Sequence, residues 1–248
     1  MIALLMLFGQ TALAEEKLTI AAAADLKFAL DEIIVIFKRE HAAVLIEPIY
    51  GSSGNFSTQI RQGAPYDLYF SADIAYPRAL KAEGLAASEV QAYGVGRIVL
   101  WSQALDANKM TLADLTDPSI RKIAIANPQH APYGKRAEEA LKAAGVWGKV
   151  EAELVYGENV AQAAQFVQSG NAQIGIIALS LALSPELAKQ GSYALIPDKL
   201  HQPLEQGFII TKRAADNSLA REFARFIAGK EARTIMSRYG FVLPGEVK

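Results

Sequence analysis

Leu18-Thr19-Ile20-Ala21-Ala22-Ala23-Ala24-Asp25-Leu26, continued at helical spacing by Leu30, Ile33, Ile34 and Phe37, decides the fold. The opening residues form a short β-rich run, and from Leu26 onward the apolar period changes to that of an amphipathic helix. The stretch predicts a strand over residues 18–22 that turns through small residues into a helix beginning at Asp25. Working outward, further short apolar runs fall at 44–49, 68–70, 97–101, 123–126, 153–155, 174–178 and 208–210. Amphipathic stretches separate many of them; Ala137, Ala140, Leu141 and Ala144 mark one. Strands alternating with crossing helices give the α/β class with largely parallel sheets. Leu219, Phe223, Phe226, Ile227, Ile235 and Met236 predict one or two closing helices interrupted near Gly229.

At 248 residues the chain is near the size where one core gives way to two. No Gly/Ser/Pro-rich tether divides it, so two lobes would be joined by strands or short crossings, near 94–96 and near Gln206-Gly207. The second crossing would return the C-terminal helices to the first lobe. Hydrophobic residues make up 51%, charged residues 21%, and the formal net charge is -1, which leaves no electrostatic footprint for nucleic acid or an acidic membrane. The absence of cysteine excludes disulfides, thiolate metal sites and cysteine nucleophiles. The N-terminal run Ile2 to Phe8, followed by Ala12-Leu13-Ala14, reads as an export leader over 1–14 with a mature start at Glu15, although no Lys or Arg precedes the run. A transmembrane anchor needs about 20 apolar residues, and this run is far shorter.

Four strand-to-helix junctions carry the functional signal, because ligands of open α/β sheets bind outside the carboxyl ends of strands and helix starts offer unpaired N–H groups. The first is Ala22-Ala23-Ala24-Asp25-Leu26. The second, Gly51-Ser52-Ser53-Gly54, crowds two hydroxyls and several amides into four residues and opens a helix running to about Gln62. In the third, Asn127 to Gly134, Pro132 suits the first helical turn and leaves the Tyr133 N–H without an intrahelical acceptor. His130 lies here with no partner at metal-ligand spacing. In the fourth, Gly157-Glu158-Asn159-Val160, Asn159 and Gln162 have capping-box spacing and Val160 N–H is an orphan donor. Each junction alone has an ordinary explanation: Asp25 as an N-cap, a serine-capped turn, a proline-started helix, a capped surface helix. Together they describe a pocket for a small oxyanion.

Six strings in register, Gly51-Ser52-Ser53-Gly54, Gly63-Ala64-Pro65-Tyr66-Asp67, Ser71-Ala72-Asp73, Ala126-Asn127-Pro128, Ala131-Pro132-Tyr133-Gly134 and Gly157-Glu158-Asn159-Val160, identify a further signal. The chain resembles the periplasmic molybdate-binding proteins of ABC importers, from about Leu18 to Arg238-Tyr239-Gly240-Phe241. The resemblance implies a two-lobed type II periplasmic-binding-protein fold, with lobe 1 over 15–94 and 206–248 and lobe 2 over 95–205. It implies that the cleft closes on molybdate or tungstate, with other oxyanions such as sulfate, chromate or a phosphate-like ion as alternatives. By position the family's ligand contacts fall on Ala24, Asp25, Ser52 and Ser53, and on the backbones of Tyr133 and Val160. No cofactor and no metal-ion ligand is implied. The implied partner is a membrane permease, and the implied state is an exported periplasmic monomer that binds no nucleic acid and does not insert in the membrane.

Two departures stand out. Some relatives carry a ligand-contacting Tyr where this chain has Ala178, with Leu179-Ser180 beside it. Many carry Ser or Asn where this chain has Asp25. An ionised carboxylate about 4 Å from each unit of ligand charge costs about 4 kcal/mol at an effective dielectric of 20. Asp25 is therefore expected to turn away and cap its helix, the alternatives being a protonated acid or a protonated ligand.

An enzyme finds little support. The chain has no G-x-S-x-G elbow, Walker loop or H-E-x-x-H, and no second histidine is placed as a base for Ser53. A regulatory ligand sensor shares the fold class but would need a DNA-binding segment where the leader stands.

Overall fold

The computed structural model describes residues 17–245, so the expected leader over 1–14 and the start at Glu15 lie outside the described residues. The described residues form ten strands: β1 Lys17–Ala23, β2 Leu45–Gly51, β3 Leu68–Ser71, β4 Gln91–Gly96, β5 Ile98–Ser102, β6 Ile123–Ala126, β7 Leu154–Gly157, β8 Ile174–Ala178, β9 Ser192–Leu195 and β10 Leu204–Ile210. The α-helices in chain order are α1 Lys27–Glu40, α2 Ser53–Arg61, α3 Ala75–Ala82, α4 Pro132–Ala143, α5 Trp147–Val150, α6 Val160–Gln168, α7 Leu179–Ala182, α8 Leu187–Gln190, α9 Ser218–Ile227 and α10 Lys230–Arg238. None of the described helices is long and apolar enough to cross a membrane.

The strands form two five-stranded sheets, ordered β2-β1-β3-β10-β4 and β7-β6-β8-β5-β9. The first three strands of each order pair in parallel, while β10 in the first sheet and β5 in the second run antiparallel to both neighbours. The chain crosses from the first sheet to the second between β4 and β5, and returns between β9 and β10.

Strand alternation builds the first core on both faces of its sheet. Ile20, Ala22, Leu68, Phe70 and Phe208 point to one side, where α1 contributes Leu30, Ile33 and Phe37 and the C-terminal helices contribute Phe223, Ile227 and Met236. Ala21, Tyr69 and Ile209, one residue out of phase, meet Phe56, Ile60 and Leu80 on the other side. A second core surrounds the second sheet, centred on Leu100, Trp101, Ile125 and Ile176. Ala23, Ala24 and Ala72 of the first unit join that second core, so the carboxyl ends of the two sheets meet.

Register then positions the loops. Ala23 stands opposite Gly51 at the carboxyl ends of β1 and β2, which brings the turns that follow them side by side. Ala126 stands opposite Gly157 in the second sheet and does the same for the starts of α4 and α6.

Two strands escape the sequence pattern. Both β4, with Gly94 and Gly96, and β9, with half-buried Ser192, Tyr193 and Ala194 and exposed Leu195, are sheet edges with little continuous apolar surface. The predicted helix start at Asp25 also needs correction. A 3-10 turn, Ala24–Leu26, precedes α1, and α1 begins at Lys27.

Candidate anion site

Residues from all four junctions line one cavity between the two units: Ala23, Ala24 and Asp25; Gly51, Ser52 and Ser53; Ala131, Pro132 and Tyr133; and Asn159 and Val160, with Ala72 beside them. Its unfilled space is no more than about 190 Å³. The part of it open to a water-sized sphere is only about 10 Å³, the scale of one small particle rather than a sugar or peptide. Of the described residues lining it, Asp25 is the one carboxylate, and no Lys, Arg or His is among them.

The donors are mostly backbone. Ser52 is the N-cap of α2, with its Oγ 3.4 Å from the Asn55 amide, and Ser53 is the first helical residue. Ser53 Oγ accepts from the Ala72 amide at 3.0 Å, which fixes the side chain and leaves its own hydroxyl proton for another acceptor. Pro132 occupies the first turn of α4, so the Tyr133 amide has no acceptor within the helix. Asn159 caps α6 by accepting from the Ala161 and Gln162 amides, both at 3.0 Å, and this leaves the Val160 amide at the cavity end. The Gln162 side chain does not close the expected box on the Asn159 amide; it accepts instead from the Glu158 amide at 2.7 Å. Four helix starts thus place N–H groups and two hydroxyls around one small space, which suits an anion with several oxygens.

The units are held together at this cavity by contacts that the sequence pattern does not reveal. The Gly54 amide donates to the His130 carbonyl at 2.9 Å, and His130 Nδ1 lies 2.9 Å from Ser52 Oγ. With Nδ1 protonated, His130 donates to Ser52 and leaves the serine proton for the cavity. Glycine is required at position 54 because a Cβ there would fall 2.7 Å from the His130 carbonyl oxygen. No group of three or more His, Cys, Asp or Glu able to hold a metal ion occurs among the described residues.

Asp25 does not cap its helix, which corrects the expectation from sequence. Neither the 3-10 turn nor α1 has a side-chain cap, and Asp25 is only 1% exposed. Its Oδ2 accepts from Tyr133 Oη in the second unit and from Gln206 Nε2 on β10, both at 2.9 Å. Gln206 Nε2 also lies 3.1 Å from Tyr133 Oη, and its Oε1 accepts from Tyr93 Oη at 2.6 Å. Gly96 packs against this cluster, where a Cβ would strike both Tyr133 Oη and Gln206 Nε2. Oδ1 of Asp25 has no hydrogen-bond partner among the described residues. Burial pushes the carboxyl up to about 7, against the smaller opposing pull of the Gln206 and Tyr133 hydrogen bonds and the nearby Asp25 and Leu26 amides. Burial, and then the adjacent Asp25, raises Tyr133 well above the usual phenol range. Ala178 is fully buried and outside the cavity lining, and Ser180 Oγ donates to the Asp25 carbonyl at 2.7 Å, so neither supplies a hydroxyl to the site.

Comparison with known proteins places this geometry in a family. The family model described as bacterial extracellular solute-binding protein matches residues 18–242. The chain belongs to that family. Among its relatives, the molybdate-binding protein of Rhodobacter capsulatus is 34% identical over 90% of this chain and 86% of its own length. That of Azotobacter vinelandii is 32% identical over 92% of this chain and 90% of its own length. The solved structure of the Azotobacter vinelandii periplasmic molybdate-binding protein superposes with a TM-score of 0.84 at 32% identity, covering 92% of this chain and 99% of that one. A sulfate-binding protein of Mycobacterium tuberculosis, 17% identical with a TM-score of 0.75 over 92% of this chain and 86% of that one, shares the fold alone. This solute-binding protein therefore has the two-sheet periplasmic-binding-protein architecture, and its named relatives bind a solute rather than convert one.

Proposed function

We propose that this chain captures molybdate, or tungstate of the same shape and charge, outside the cytoplasm and delivers it to the membrane permease of an ABC importer. The observation that carries the reading is the cavity of no more than about 190 Å³ into which residues of four helix starts converge. Kinship with named molybdate-binding proteins over nine-tenths of the chain supports the choice of ion. The contacts are Ser52 and Ser53 through their hydroxyls, Tyr133 and Val160 through their amides, and Ala24 and Asp25 at the start of the first helix. Neutral donors select a compact dianion by size and donor number and still allow its release.

The two units act as lobes, 15–94 with 206–248 and 95–205, that close over the ion. The protein works as an exported periplasmic monomer, with no resident cofactor. The test is calorimetric titration of the purified chain with molybdate, tungstate, sulfate and phosphate. Molybdate and tungstate are expected to bind far more tightly than the other two. Tight phosphate or sulfate binding without molybdate binding would overturn the ligand assignment.

A further inference from the structure

The buried carboxyl at the end of the cavity is the one feature that a site made of neutral donors does not explain. Asp25 lines the space for the ion, and both side-chain donors that reach it, Tyr133 Oη and Gln206 Nε2, go to Oδ2. Both are neutral, and among the described residues no cation bonds to the carboxyl. Oδ1, buried and without a partner, is the atom left to carry a proton. A dianion beside an ionised carboxylate meets two units of the repulsion set out above, with no positive side chain lining the cavity to offset it.

We propose that Asp25 is a neutral acid whenever the cavity holds its oxyanion, so that capture of a dianion takes up one proton from solvent onto Asp25 Oδ1. This inference rests on the oxyanion reading of the site. The proton comes from bulk water, is held on Oδ1 as a donor while the ion is bound, and returns to solvent on release.

Two titratable groups meet the site: Asp25 in its lining, and His130 behind it, with Nδ1 2.9 Å from Ser52 Oγ and Nε2 3.6 Å from Glu158; the Asp25→Asn comparison below separates them. From α4 Asp25 faces Tyr133, from β4 Tyr93 lies beyond Gln206, and burial raises both phenols well above their usual range. On the helix that Asp25 leads into, Lys27 pairs with Asp31 at 3.3 Å, and Asp31 also accepts from Tyr50 of β2. Glu47 of β2 pairs with Lys17 at 2.7 Å. Neither α6 nor α7 carries an ionisable side chain. Burial already holds the empty-site carboxyl up to about 7, so near neutral pH a bound dianion has only to shift a population of acid and carboxylate.

The experiment is calorimetric titration of the full chain with sodium molybdate between pH 5.5 and 9, in buffers of differing ionisation enthalpy. Near pH 8 the protein is expected to take up close to one proton per ion, and near pH 5.5 almost none. The apparent Kd should rise roughly tenfold for each pH unit above 7. Asp25→Asn should bind with no proton uptake and a flat pH profile; Asp25→Ser serves if the first variant does not fold. Wild-type binding at pH 8 without proton uptake, or the same pH profile in the variant, would overturn the proposal while leaving the site intact. No binding of molybdate by the wild type at any pH would overturn the site reading and this inference with it.

Discussion

Replacing Asp25 by Asn should make the ligand-free protein more stable, and the gain should grow with pH. In the folded chain burial raises this carboxyl to about 7, from an ordinary value of 3.8. Below about pH 4 it is neutral in both folded and unfolded states and contributes no pH dependence. Between about 4 and 7 the unfolded chain releases the proton and the native state keeps it, so native stability falls as pH rises. Above 7 the native carboxyl ionises too and the loss levels off. A gap of about three pH units at about 1.4 kcal/mol each makes the full loss about 4 kcal/mol, of which more than half falls between pH 5 and pH 8. Asp25→Asn is isosteric, its amide oxygen can accept from Tyr133 and Gln206 in place of Oδ2, and it has no such titration. Urea unfolding of both proteins at pH 5 and pH 8, without oxyanion, measures the difference. A variant-minus-wild-type gap that stays constant across this range would refute the reasoning, because it would mean that the carboxyl is not held in a desolvated place.

Other substitutions probe the donors and the contact between the units. Ser53→Ala should weaken molybdate binding by about 1 to 3 kcal/mol, since a charge-assisted hydrogen bond is lost, and Ser52→Ala by the same or less. Unchanged affinity in the double variant, read by calorimetry, would mean that the turn is structural. Gly54→Val should raise the Kd at least roughly tenfold with the fold preserved, because the new side chain meets the His130 carbonyl oxygen. Circular dichroism and titration together read this, and a wild-type affinity would show that the approach of the two units is not needed for capture. N-terminal sequencing of protein recovered from the periplasm should begin at Glu15, whereas a cytoplasmic product retaining Met1 would contradict export.

Much of this was legible in the sequence, because the decisive signals are local. The change of period at Leu26 marks the strand-to-helix turn, and Pro132 and Asn159 mark two helix starts that the structure also has. What lay beyond reach is tertiary. Asp25 reads as an N-cap by every local rule, yet the 3-10 turn aims its carboxyl inward, where Tyr133, distant by 108 residues, and Gln206, distant by 181, meet it. His130 is an unremarkable loop histidine until Ser52 and Gly54 are seen against it. No spacing rule could pair such positions, and Gln206, beside exposed Glu205, stands ahead of the apolar run 208–210 that marks the strand in the sequence. Edge strands β4 and β9 leave no sequence signal for the opposite reason, since they bury too little to show a pattern.

One small oxyanion is expected to sit where the four helix starts meet. Crystals grown with sodium tungstate test it most directly, because the anomalous signal of tungsten locates the ion independently of any assumed site. One strong peak per chain is expected inside the cavity, with oxygens within hydrogen-bond distance of the Ser52 and Ser53 hydroxyls and the Tyr133 and Val160 amides. A fully occupied peak elsewhere, or an empty cavity at saturating tungstate, would contradict it.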